Sequence, residues 1–176
     1  MNNYHALLNL AQKYADLYST CTKVAVGSLL VDKSYLDSFE SKIFDVSSAS
    51  DYIPGIYGCN SSAVSELSCK KIGCLRMEKY GEQHKSHRNP EDCRAVHSEI
   101  DVISRSASLG IKTSEKAIIV TRYPCESCAK AIIRAKIPVV VYGREQKISE
   151  QTETMFRLAG VVVIHVSDWT YEDRTD

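Results

Sequence analysis

The chain has 176 residues, enough for one domain with a full apolar core. Its 22 Lys and Arg match its 22 Asp and Glu, so no overall charge draws it to nucleic acid or to a membrane surface. No run approaches the ~20 apolar residues of a membrane span, and the start Met1-Asn2-Asn3-Tyr4-His5 lacks the plan of a secretion signal.

Helical spacing of Leu7, Leu8, Leu10, Ala11, Tyr14, Ala15 and Tyr18 predicts an amphipathic helix over residues 4–18. Residues 23–32, K-V-A-V-G-S-L-L-V-D, predict a core strand, with a partner over 53–58. Between them, residues 33–52 are rich in Ser and Asp and too long for a tight turn, which predicts an inserted surface excursion. Residues 61–92 read as a long polar loop with one helical turn. There Lys70, Lys71, Arg76, Lys79, Lys85 and Arg88 crowd together, either as a solvated run or as a phosphate-binding one.

Residues 93–106 follow Pro90-Glu91-Asp92 and spread Ala95, Val96, Ile100, Val102 and Ile103 among polar residues, predicting a helix with His97 and Glu99 near its start. A strand over 117–121, a helix over 125–135, a strand over 138–142, a helix over 150–158 capped by Gly160 and a strand over 161–166 follow. The tail, 168–176, is polar. Strands alternating with helices after an initial hairpin imply a mixed central sheet with helices on its faces, as a single domain over 1–176.

Two short motifs carry chemistry. His97-Ser98-Glu99 and Pro124-Cys125-Glu126-Ser127-Cys128 supply one imidazole and two thiols, three donors suited to zinc with the fourth tetrahedral position left for water. Glu99 lies two residues from His97, so it can enter the same pocket without being a ligand and act as a proton shuttle. A lone C-x-x-C is also a redox pair or half of a closed zinc knuckle. Neither of those uses needs H-x-E on another helix, whereas H-x-E with P-C-x-x-C is the pattern of zinc-dependent nucleobase deaminases. The odd count of seven cysteines fits a reducing compartment, so the expectation is a cytoplasmic protein, or one of the host cytoplasm if viral.

The run from Cys93 to Ile103, C-R-A-V-H-S-E-I-D-V-I, resembles the H-A-E-x-N-A-I helix of deoxycytidylate deaminases. Pro124 to Tyr142, P-C-E-S-C-A-K-A-I-I-R-A-K-I-P-V-V-V-Y, resembles that family's P-C-x-x-C-A-K-x-I-I-Q-A-G-I segment. Val26-Gly27 and Gly58-Cys59-Asn60-Ser61 fall where the family has V-G-A and G-Y-N-G. The resemblance spans roughly residues 21–166. It implies a cytidine-deaminase-like three-layer α/β/α fold on a five-stranded mixed sheet, and hydrolysis of dCMP to dUMP, which supplies thymidylate synthesis. His97, Cys125 and Cys128 would hold Zn2+, and Glu99 would shuttle protons while the activated water attacks C4. Asn60 would hydrogen-bond the deoxyribose and Tyr142 would stack near the nucleotide, although local sequence alone favours an ordinary turn residue at Asn60 and more often a core residue at Tyr142. Arg105, Lys130 and the basic run are the candidates for phosphate. The resemblance further implies dCTP and dTTP as effectors, Mg2+ with a regulatory nucleotide, and a homohexamer.

Three departures stand out. Asp101 replaces the family's asparagine and adds negative charge near the expected phosphate, while Cys59 and Ser61 replace the tyrosine and second glycine of the turn that also serves regulation. They open the alternatives of dCTP or a modified cytosine nucleotide as substrate. Cys21, Cys69 and His87 match a structural zinc of phage-type relatives. The fourth ligand there is a carboxylate whose place is Ala95 here, so Cys93 or Cys74 must substitute; free thiols are the other reading. His84 reads as solvated. A tRNA adenosine deaminase of the same fold would need a basic face, against which the neutral charge argues. A non-enzymatic zinc module would have no use for Glu99.

Overall fold

The computed structural model describes residues 3–37, 55–81, 90–146 and 149–171. Most of the predicted excursion, His84, His87 and the last five residues lie outside them. Helix α1 (Asn3–Tyr18) leads to strand β1 (Gly27–Asp32) and the short α2 (Ser34–Asp37). Strands β2 (Ile56–Cys59) and β3 (Ser61–Ser62), a 3-10 turn (Ser65–Leu67), α3 (Cys69–Ile72) and α4 (Leu75–Tyr80) follow. After a second 3-10 turn (Pro90–Asp92) come β4 (Ala95–Val96), α5 (Ser98–Ser108), β5 (Lys116–Arg122) and α6 (Glu126–Arg134). Strand β6 (Val139–Arg144), α7 (Glu150–Leu158) and β7 (Val162–His165) complete the order.

Five strands form one sheet in the order β2-β1-β5-β6-β7. Strand β1 is antiparallel to β2 and β5, whereas β5, β6 and β7 run parallel because α6 and α7 cross over between them. Side-chain alternation divides the core in two. Leu29, Val31, Ala117, Ile119, Val139 and Val141 face α1 through Leu7, Leu8 and Ala11. Leu30, Ile118, Val120 and Val140 face Val102 of α5, Ala129 and Ile132 of α6 and Phe156 of α7. The sheet is thus covered on both faces, which is why its central strands read as unbroken apolar runs. The mixed five-stranded α/β/α architecture is the expected one.

Two glycines set how closely the helices lie. A Cβ on Gly27 would fall 1.9 Å from the Ala11 carbonyl oxygen, so α1 rests directly on the start of β1. On Gly58 it would fall 2.6 Å from the Ser98 carbonyl oxygen and 2.7 Å from the Val102 nitrogen, which seats the first turn of α5 on β2.

The predicted loop after Asn60 is more ordered than expected among its described residues. Ser61 and Ser62 pair antiparallel with Val96 and Ala95, and α3 and α4 follow. The same pairing holds residues 95–96 extended, so α5 begins at Ser98 rather than at 93. No helix among the described residues is long and apolar enough to cross a membrane.

Candidate active site

His97 and Cys125 occupy equivalent places. Each is the residue capping the start of a helix, α5 and α6 respectively, with extended backbone angles (φ −69°, ψ 150° and φ −72°, ψ 168°). The β3–β4 pair delivers His97 to its position, β5 delivers Cys125, and Cys128 follows in the first turn of α6. The two helices pack side by side under the sheet, so both starts converge. Cys125 Sγ and Cys128 Sγ each lie 3.4 Å from His97 Nδ1, and the three donor atoms lie within 4.8 Å of one another.

This donor set fits zinc. Tetrahedral bonds of about 2.3 Å to sulfur and about 2.05 Å to nitrogen separate such atoms by about 3.6 Å. Among the described residues no fourth His, Cys, Asp or Glu joins the group. The charges are arranged to receive a cation. A hydrogen bond from Cys128, aided by His97, holds the Cys125 thiol down to about 4, so it is a thiolate at neutral pH. Cys128, buried beside that thiolate and beside Glu99, keeps its proton. The Cys125 contact in turn raises the His97 imidazole above its usual range.

Glu99 is 4 % exposed, and burial raises its carboxyl above the usual carboxylate range. It touches Cys128 yet stands outside the three-donor group. Its Oε2 accepts a 3.1 Å hydrogen bond from Ser98 Oγ, which accepts one of 2.7 Å from Ser28 Oγ on β1. Sequence reasoning missed both serines. The signal was present, since each stands where the resembling motif, V-G-A or H-A-E, has alanine.

The other candidate residues each have partners within the protein. Asn60 Oδ1 accepts from Ser19 Oγ (2.7 Å) and from the Val26 amide (2.8 Å), and its Nδ2 donates to the Val24 carbonyl (2.8 Å). Its side chain therefore ties the α1–β1 loop to the end of β2, using one of its two Nδ2 hydrogens. Tyr142 is buried with Tyr123 and Phe156 and stacks on His165 at 4.4 Å between centroids. Apolar burial gives it a place in the core, the reading its composition also offered. Arg105 donates through Nε to Asp101 (3.1 Å), and its guanidinium lies 6.0 Å from the centroid of the Tyr14 ring. Asp101 Oδ2 also accepts the Cys59 amide at 3.0 Å, so the charge that looked unfavourable is countered and pins β2 to α5. Lys130 pairs with Glu126 on the surface.

Of the second set, Cys21, Cys69 and Cys93 are described and His87 is not. Burial pushes the Cys69 thiol up to about 11, with Cys74, Cys21 and Cys93 near enough to add to the shift and Cys74 in hydrogen-bonding contact. Arg76 Nη2 donates to Cys93 Sγ at 3.0 Å. These four thiols are not drawn together as tightly as the His97 group.

Comparison with known proteins agrees with this geometry. The sequence model of the MafB19-like deaminase family matches residues 2–170. The chain belongs to that family. Among curated proteins, the ComE operon protein 2 of Bacillus subtilis is 29% identical over 152 residues, covering 85% of the chain. The chain spans 64% of that relative's length. Among solved structures, the dCMP deaminase of cyanophage S-TIM5, in complex with dCMP and dUMP, superposes with a TM-score of 0.61 at 19% identity, covering 92% of this chain and 94% of that one. A tRNA:A34 deaminase superposes with a TM-score of 0.51 at 18% identity, covering 93% of this chain and 98% of that one. The MafB19-like deaminase thus shares the fold of both nucleotide and tRNA deaminases.

Proposed function

We propose that the chain is a zinc-dependent hydrolase that converts dCMP and water to dUMP and ammonia. The observation that carries this reading is a buried, non-ligating carboxylate, Glu99, beside an imidazole and two thiols gathered for a metal. His97, Cys125 and Cys128 hold the ion, which when bound supplies a Lewis acid that makes water nucleophilic near neutral pH. Glu99 would take a proton from the attacking water as its oxygen bonds C4 and give it to N3 of the cytosine ring. It would then carry the proton of the new C4 hydroxyl to the amine, so that the C4–N bond breaks, ammonia leaves and the C4 carbonyl forms. Burial suits Glu99 to this work, because raising its affinity for a proton lets it both take and return one. Asn60 offers its second Nδ2 hydrogen to the deoxyribose.

A free nucleotide is favoured over RNA by the neutral net charge and by ion pairs that occupy Lys79, Arg105 and Lys130. The bound dCMP and dUMP of the cyanophage enzyme support the same substrate. Ultraviolet loss of the cytosine band with dCMP, dCTP and cytidine side by side tests it, with deamination of a tRNA substrate as a further arm. dCMP is expected to be turned over fastest. Turnover of dCTP alone would move the reading to the triphosphate, and of cytidine or tRNA alone would overturn the nucleotide assignment. A homo-oligomer acting in the cytoplasm and regulated by dCTP and dTTP completes the reading; light scattering, and rates with each effector, test those parts.

A second zinc is proposed at Cys21, Cys69 and His87, with Cys93 or Cys74 as the fourth ligand; His87 lies outside the described residues. Cys74, in contact with Cys69, is the alternative to Cys93 at the position where Ala95 offers no ligand. A cation there would draw the proton off Cys69, whose burial otherwise resists it, and would fasten α3 to the loop before β1 and to the segment before β4. Metal counting on the purified protein should give two zinc ions per chain and one in Cys69→Ser. A wild-type value near one would end this part.

A further inference from the structure

Beneath Glu99, two serine hydroxyls are sealed between the sheet and α5. Ser28 and Ser98 are each 0 % exposed, and they come from elements 70 residues apart. An ionised carboxylate only accepts hydrogen bonds, so the chain has one direction: Ser28 donates to Ser98, and Ser98 donates to Glu99 Oε2. Each hydroxyl hydrogen is then spent. The backbone on both sides is fixed, Ser28 by pairing with Gly58 and Val120, and Ser98 by the contact of its carbonyl with β2 at Gly58. What the pair adds is a rigid donor aimed at one oxygen of the carboxylate.

We propose that Ser98 is a positioning residue for Glu99, and that Ser28 holds Ser98 in the rotamer that does this. The inference rests on the deaminase reading above. Cys128 and the Glu99 amide also reach this carboxyl. With Oε2 held by Ser98, rotation about the last bond is restrained, and Oε1 is the oxygen assigned to take and return the proton. Catalysis is sensitive to such placement, since small displacements of a reacting group cost large factors in rate.

The test compares Ser28→Ala, Ser98→Ala and the double variant S28A/S98A as zinc-loaded proteins. Ser98→Ala should lower kcat about tenfold with KM changed less than about twofold and zinc content unchanged. The double variant should match Ser98→Ala in kcat, because Ser28 acts only through Ser98. It also leaves neither hydroxyl unpaired, so it remains informative if the single variant folds poorly. A second readout needs no turnover. The isotope-edited infrared band of the Glu99 carboxyl, identified by its absence in Glu99→Gln, should shift in Ser98→Ala and shift equally in the double variant. A kcat within twofold of wild type, single effects that multiply in the double variant, loss of zinc in parallel with kcat, or an unshifted band would each overturn the proposal. If the wild type turns over no cytosine nucleotide, the functional reading fails separately and the infrared band alone decides the role of Ser98.

Discussion

Glu99 is buried, charged in its working form and bound to no metal in this reading, a combination that lowers stability unless function requires it. Its raised carboxyl has a definite consequence for the metal-free protein. A folded-state value above the unfolded one contributes stability below the ordinary carboxylate range, and that contribution is lost as pH rises through the raised value. Glu99→Gln should therefore abolish that decline and stabilise the metal-free fold at neutral pH by on the order of 1 kcal/mol, read by denaturant titration at several pH values. The same change should reduce kcat by about 10²–10⁴-fold while zinc is retained. A variant with near-normal turnover would remove Glu99 from the mechanism. The thiols make a second claim at this scale. Cys125 is already a thiolate near neutrality, but Cys128 must lose its proton when a metal enters. Zinc affinity should thus rise with pH, by about tenfold per unit for each proton released, in a chelator competition between pH 6 and 8. A pH-independent affinity would contradict the assignment of that proton.

The starts of α5 and α6 are what turn residue types into a site. Both ligand-bearing residues cap helices, where unpaired backbone N–H groups favour negative charge. Asp101 shows how α5 is held in place. Its Oδ2 accepts the Cys59 amide and its Oδ1 accepts from Arg105, coupling the edge strand β2 to the helix that carries Glu99. Asp101→Ala leaves that amide without its partner and should cost about 1–3 kcal/mol in chemical denaturation. Asp101→Asn keeps an acceptor and should cost less than half as much. Equal losses in the two variants would show that the charge, rather than the hydrogen bond, is what counts there.

Over the whole molecule, the parallel run β5-β6-β7 places the P-C-x-x-C segment beyond the carboxyl end of β5, the end at which open α/β sheets bind ligands. Much of this was legible because the information is local. The zinc motifs span three and four residues, and the alternation of apolar runs with helical spacing gives the layers. What was not legible depends on distant partners. Two-residue strands such as Ser61–Ser62 and Ala95–Val96 carry no periodicity, so neither they nor the delayed start of α5 could be foreseen. The protein partners of Asn60 and Arg105 were not legible, because nothing near them in sequence reveals Ser19 or the Tyr14 ring. Tyr142 lies at the end of an apolar strand, where core and site look alike until Tyr123 and His165 are in place. Ser28 and Ser98 are the instructive case, since each is an unremarkable residue until the sheet brings them within 2.7 Å.

The most direct measurement is a balance sheet of the reaction. Zinc-replete protein incubated with dCMP should release one ammonia for each dUMP formed, lose that activity when a chelator strips the metal, and regain it when zinc is returned. Undiminished turnover by the metal-free protein, or no ammonia from any cytosine nucleotide with zinc in place, would contradict the account.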